Sequence, residues 1–139
     1  KLLGQAVEGR VQQANIGISA QVTRVPVIDG HTALLSIALA HKATPEQALA
    51  VLAGWQAPEQ VRGLPTAPEH PIVVRAEADR PQPRRDRDAG KGMSAVVGRV
   101  RACNLHDLRM VVLSHNTIRG AAGGALLNAE LLVSTGVVA

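Results

Sequence analysis

The run Met93-Ser94-Ala95-Val96-Val97-Gly98-Arg99-Val100-Arg101-Ala102-Cys103, followed closely by Leu108-Arg109-Met110-Val111-Val112-Leu113-Ser114, decides the fold class. From Val97 onward the first segment alternates apolar with polar residues, the pattern of a strand with one wet face. The second is apolar through most of its length and reads as a buried strand. Asn104 to Asp107 between them makes a turn, so the two segments predict an antiparallel hairpin.

Downstream, His115 to Leu132 predicts a closing helix. Asn116 or Thr117 would cap it, and it runs to about Val133. Gly120, Gly123 and Gly124 each cost a helix about 1 kcal/mol relative to Ala, so their presence implies close approach by a neighbouring backbone or ligand. The N–H groups of that first turn also favour an anion or an amide ligand.

Upstream, Asp79 to Gly92 is the most polar part of the chain and reads as a solvated loop with its charges internally balanced. Ile72-Val73-Val74 is a short strand, and the four prolines from Gln56 to Pro71 predict a long loop. Thr44-Pro45-Glu46-Gln47 starts a helix, with Thr44 as N-cap, Pro45 at the first helical position and Gln47 closing a capping box. Ala48, Leu49, Val51 and Leu52 give that helix its apolar stripe. Gly54 stops it, and Trp55 is expected to cover the end of the core. His31 to Ala40 predicts a second, central strand, although its pattern fits a helix as well. Residues 17 to 28 mix alternation with β-branched side chains and predict another strand. Lys1-Leu2-Leu3-Gly4 reads as the last turn of a helix whose beginning is missing.

Composition narrows the function classes. The 139 residues suffice for one domain with a buried core. Trp55 is the only aromatic residue, which removes the stacking platforms that single-stranded nucleic acid requires. The net charge of +4 is modest and much of it sits in one loop. A single cysteine forms no intramolecular disulfide and fits a reducing, cytoplasmic setting. No leader and no membrane-length apolar run is present in the sequence. His41, His70, His106 and His115 lack the pairing a metal site needs, so no metal is expected. No Gly-x-Gly-x-x-Gly follows a strand, so the dinucleotide-binding fingerprint is missing. Cys103, ending an apolar strand, is expected to be a small buried hydrophobe rather than a nucleophile.

The chemistry concentrates in Arg24-Val25-Pro26-Val27-Ile28-Asp29-Gly30-His31-Thr32. Arg24 and His31 are seven residues apart, which in an unbroken strand puts them on opposite faces. Pro26 and the Asp29-Gly30 turn bend the chain and free both side chains to converge. Arg is the usual bidentate clamp for a carboxylate, and His suits proton transfer near neutral pH.

This segment resembles the active-site segment of aspartate-semialdehyde dehydrogenases. Three further phrases resemble the fungal and archaeal branch of that family. They are Asp79-Arg80-Pro81-Gln82-Pro83-Arg84 with its charged run and Gly92-Met93, then Val97-Gly98-Arg99-Val100-Arg101, and Ser114 to Gly123. The resemblance implies a C-terminal catalytic and dimerisation domain over residues 1–139, akin to the C-terminal domain of glyceraldehyde-3-phosphate dehydrogenase. The implied fold is α+β, a mixed, largely antiparallel sheet with helices on one face and a homodimer interface on the other. It assigns Arg24 to the substrate carboxylate, His31 to acid–base catalysis and Asn116 to the neighbourhood of the nicotinamide. The helix over 116–133 would pack back on an absent NADP-binding domain.

The implied reaction is the NADPH-dependent reductive dephosphorylation of L-4-aspartyl phosphate to L-aspartate 4-semialdehyde, towards lysine, threonine and methionine. The implied partners are these substrates, phosphate and further copies of the chain, as homodimer or homotetramer, with neither nucleic acid nor membrane. The family's nucleophilic cysteine and its phosphate-binding Glu and Lys would lie upstream, so the chain by itself is expected to be inactive. Two rivals stand beside this reading: malonyl-CoA reductase of the same branch, and a non-catalytic dimerisation module. A nucleic-acid binder resting on the loop from Arg80 to Lys91 is a more distant one.

Overall fold

The computed structural model describes residues 3–138. Lys1 and Leu2 of the expected helix end lie outside these residues, and Leu3-Gly4 forms a turn. A hairpin that the sequence did not announce follows: β1 (Gln5–Val7) pairs antiparallel with β2 (Arg10–Gln12). Glu8 and Gly9 join them with φ of 49° and 74°, the left-handed pair that a two-residue hairpin loop demands.

The strand expected over residues 17–28 does not form. An extended backbone becomes a strand only by pairing its N–H and C=O groups with a neighbour. Here no ladder reaches it, and Ile18, Val22 and Ile28 are 74%, 95% and 86% exposed.

The main sheet has four strands: β3 (His31–Ile37), β4 (Ile72–Arg75), β5 (Ala95–Ala102) and β6 (Leu108–Ser114), in the spatial order β3-β6-β5-β4. β5 and β6 are the predicted antiparallel hairpin. β3 pairs antiparallel with β6 from His31↔Ser114 to Ile37↔Leu108, which decides strand over helix for this segment. It is an edge strand, however, and not the central strand expected. Its apolar residues fit either position, and only the pairing order distinguishes them. β4 runs parallel to β5, so the sheet is mixed and largely antiparallel, and the chain is α+β.

The core centres on the hairpin, where Val96 and Leu113 are fully buried beside Val97, Leu108 and Met93. Burial of each such side chain is worth roughly 1.5–3 kcal/mol. A bulge between Gly98 and Arg101 interrupts the β5/β6 register. Gly98 is fixed by close approach: a Cβ there would stand 2.5 Å from the Arg80 carbonyl oxygen.

α1 (Pro45–Gly54) forms as its start signal predicts. The Thr44 hydroxyl accepts from the Gln47 N–H at 3.3 Å, and the Gln47 carboxamide oxygen accepts from the Thr44 N–H at 2.8 Å. The helix packs against β4 and β5. Trp55 does not close the core as expected. It caps the helix C-terminus in extended conformation and stays 45% exposed.

The charged run from Asp79 to Gly92 is not the solvated loop expected. It contains the single-turn helix α2 (Pro83–Asp86) and a tight turn at Ala89–Gly92. Asp86 is fully buried. Its carboxylate accepts from Arg75 Nε at 3.1 Å, from Arg80 Nε at 2.7 Å, from Arg80 Nη2 and from the Gln82 N–H at 2.7 Å. The Arg80 hydrogen bonds, followed by those from Gln82 and Arg75, lower the Asp86 pKa to about 2 against the opposing effect of burial. The organising partner Arg75 lies on β4, outside the charged run, so composition alone shows only balanced charge.

The closing helix α3 (Gly123–Ser134) follows a π-helical turn at Ile118–Ala122. The expected close approach holds at two of its three glycines: a Cβ on Gly124 would meet the Arg119 carbonyl oxygen at 2.7 Å, and one on Gly123 the Met93 Sδ at 2.5 Å, whereas Gly120 has only ordinary contact. Glu130 ties the helix to the long loop, accepting from the Thr66 N–H at 2.9 Å and from the Thr66 hydroxyl.

Candidate functional site

Antiparallel pairing of β3 and β6 brings the start of one strand to the end of the other. The Asp29-Gly30-His31 turn therefore meets Ser114-His115-Asn116-Thr117 at one end of the sheet. Gly30 is buried there with φ 114°, and a Cβ on it would press on Pro83 Cβ at 3.1 Å and Leu113 Cδ1 at 3.2 Å. Its N–H donates to Asn116 Oδ1 at 2.7 Å. Thr117 Oγ1 stands 3.5 Å from Asp29 Oδ1, a second contact between the same two segments. His31, the next residue, is exposed.

Of the two expected caps, Asn116 or Thr117, the N-cap position falls on Thr117, but its side chain makes no capping hydrogen bond and the ring of His115 takes the orphan donor instead. The buried His115 ring accepts the Ile118 N–H at Nδ1, at 3.3 Å. A backbone N–H can only donate, so Nδ1 carries no proton and Nε2 does. Nε2 faces Asp88 Oδ1 at 3.8 Å. The His115 carbonyl oxygen also accepts from the Gly120 N–H at 3.0 Å, which opens the π-helical turn. The sequence signal was available only in retrospect: a His directly before the Asn can reach the same orphan donors.

Of the three sequence-predicted site residues, His31 and Asn116 share this end of the sheet through Gly30. Arg24 lies in the exposed extended segment before Pro26. Among the described residues its guanidinium makes no hydrogen bond or ion pair, with His31, Asn116 or any carboxylate. The bend at Pro26 and Asp29-Gly30 exists, but among the described residues no hydrogen bond joins Arg24 to His31.

Cys103 follows β5 and is half-buried rather than buried as expected. Backbone N–H groups of Leu105 and His106 draw its thiol below the ordinary value. It nevertheless stands at the opposite end of the ladder from His31, since Ala102 pairs with Leu108 while His31 pairs with Ser114. Seven residues of strand separate them by roughly 20 Å. A 520 Å³ cavity lies between the 65–69 loop and Gly90-Lys91, lined also by Met93 and Ile118, and includes none of Arg24, His31 and Asn116. Among the described residues no group of three metal-ligating side chains gathers, and no helix is long and apolar enough to cross a membrane.

A family model described as "Semialdehyde dehydrogenase, dimerisation domain" matches residues 1–119. An aspartate-semialdehyde dehydrogenase from Archaeoglobus fulgidus is 46% identical over 138 residues, covering 99% of this chain and 39% of the relative. Its counterpart from Methanothermobacter thermautotrophicus is 47% identical over 94% of this chain and 38% of its own. The crystal structure of the Candida albicans aspartate semialdehyde dehydrogenase with NADP superposes with TM-score 0.73 and 44% identity. That match covers 82% of this chain and 32% of that one. The chain thus spans about two fifths of the length of the curated relatives it matches.

Proposed function

The chain belongs to the semialdehyde dehydrogenase family, and from that premise we propose that it forms the catalytic and dimerisation part of an NADP-dependent aspartate-semialdehyde dehydrogenase. The reaction is the reductive dephosphorylation of L-4-aspartyl phosphate to L-aspartate 4-semialdehyde. What carries the reading is 46% identity sustained through 99% of the chain. The NADP in the Candida albicans relative supports the choice of cofactor.

Each residue takes a role that its surroundings permit. Arg24 is exposed and has no carboxylate partner among the described residues, so its fork is available for a bidentate contact with the substrate carboxylate. His31 is exposed at the sheet end and moves the proton to and from the reacting thiol and carbonyl oxygen. Asn116 has its Oδ1 occupied by the Gly30 N–H, which leaves its NH2 group as a donor for the amide end of the nicotinamide. NADPH, when bound, supplies the hydride. The nucleophile is a cysteine other than Cys103, which stands at the wrong end of the sheet. The enzyme works in the cytoplasm as a homodimer or homotetramer.

The test is semialdehyde oxidation by the full-length enzyme with NADP and phosphate. His31→Ala lowers turnover by about 10²–10⁴-fold, the usual worth of a positioned acid–base group. Arg24→Lys, which loses the fork, chiefly raises KM for the semialdehyde. Near-normal rates in both variants would make the segment structural and end this reading.

A further inference from the structure

We propose that Asn116 is a positioning residue for His31, its carboxamide oxygen fixing the turn from which β3 launches the imidazole. This rests on the reading of His31 as the acid–base group. The turn is held at three points. Gly30 sits between Pro83 of α2 and Leu113 of β6, where a Cβ would stand 3.1 and 3.2 Å from their side chains, and its φ of 114° strains any other residue. Its buried N–H is taken by Asn116 Oδ1 at 2.7 Å, a contact between residues 86 apart in sequence. The ladder then fixes His31 opposite Ser114, two residues before Asn116.

The alternative role for an Asn at this place is helix capping, but the N-cap position falls on Thr117 and the first orphan N–H goes to the His115 ring. Its Nδ1 accepts the Ile118 N–H, and the backbone leaving Thr117 is already helical, with φ −87° and ψ −26°. The Asn116 side chain is thereby released from its own helix and turned across to the other segment. Because the Gly30 N–H can only donate, the oxygen and not the NH2 group faces it. Of the carboxamide, the acceptor half alone does the positioning. Loss of that acceptor lets Gly30 rotate, and rotation of Gly30 redirects the next side chain along the strand.

The experiment compares Asn116→Ala, Asn116→Asp and His31→Ala in the full-length enzyme. It measures kcat, KM for the semialdehyde and for NADP, and amide hydrogen exchange at Gly30. Asn116→Ala is expected to lower kcat by about 100-fold, the scale of a displacement near 1 Å, with the semialdehyde KM little changed. Gly30 exchange accelerates in the same variant. Asn116→Asp keeps an acceptor oxygen of the same shape but loses the NH2 donor to the nicotinamide. It therefore restores Gly30 protection and most of the kcat lost in Asn116→Ala at saturating NADP, while KM for NADP rises in both variants. Should Asn116→Asp protect Gly30 yet stay as slow as Asn116→Ala, the NH2 group is the part that matters and the proposal falls. Normal kcat in Asn116→Ala beside a collapse in His31→Ala overturns the positioning role alone. Normal kcat in His31→Ala overturns the acid–base reading and the positioning role with it.

Discussion

Arg101 of β5 and Arg109 of β6 stand directly opposite each other as partners in the ladder, and Ser36 of β3 continues the row. Neither guanidinium pairs with a carboxylate among the described residues. Desolvation, then Arg109 and Arg99, holds Arg101 below the ordinary guanidinium value. Like charges directly opposite on a sheet oppose its pairing. Arg109→Glu is therefore expected to raise the thermal midpoint by a small increment that shrinks as salt is added. A lower midpoint at low salt would mean that the two arginines hold an anion in solution.

Among the described residues, Asp86 is the one carboxylate shared by Arg75 and Arg80. Asp86→Ala leaves the largely buried Arg80 with only the half-exposed Glu77, 3.6 Å away, as counter-charge, and a destabilisation towards the lower end of about 3–5 kcal/mol is expected. The group also sets an acid limit. Its pKa falls from 3.8 to about 2 on folding, so the folded state releases this proton more readily than the unfolded state. The resulting stability, about 2 kcal/mol, is present above pH ~4 and is lost as pH falls towards 2. Acid titration followed by circular dichroism checks this. Asp86→Asn, already destabilised at neutral pH, should lack the part of the decline between those limits that belongs to this group.

Gly98→Ala places a methyl group against the Arg80 carbonyl oxygen, which belongs to backbone and cannot swing aside. Overpacking of this kind costs about 1–3 kcal/mol. The urea midpoint should fall, and amide exchange should rise through the segment holding Arg80 to Asp86. A midpoint equal to wild type would show that the crossing loop yields freely.

Thr44→Ala removes the hydroxyl that accepts the Gln47 N–H, at a cost of about 1 kcal/mol. Thr44→Ser keeps the acceptor and should recover most of the loss. Amide exchange in α1 reports both, and equal exchange in the two variants would show that the cap contributes nothing there.

The elements that were legible in the sequence are those whose determinants are local. The β5/β6 hairpin follows from alternation and a short polar turn, and α1 follows from Thr44, Pro45 and Gln47, which together name its first turn. Long-range determinants were not legible. Residues 17–28 have strand propensity, but propensity does not supply a neighbour. The run from Asp79 to Gly92 has balanced charges, but the burial of Asp86 depends on Arg75 outside it. At the candidate site, His31 and Asn116 were recognised as residues, while their connection through the Gly30 N–H depends on the pairing of two strands far apart in sequence. In sequence Asn116 or Thr117 reads as the cap, because Gly30, the partner of Asn116, lies 86 residues upstream.

The order of strands also orders assembly in time. β5 and β6 close a loop of only residues 103–107, whereas β3 must close residues 38–107 to reach the same β6. The difference in loop-closure entropy is about 2 kcal/mol, before any ladder hydrogen bond is made. The hairpin can zip early, and the parallel β4 waits on the crossover that Asp86 pins. β3 is therefore expected to dock late, against a β6 already paired with β5. On the proposed reading of His31, acid–base competence is then expected among the last properties the sheet acquires.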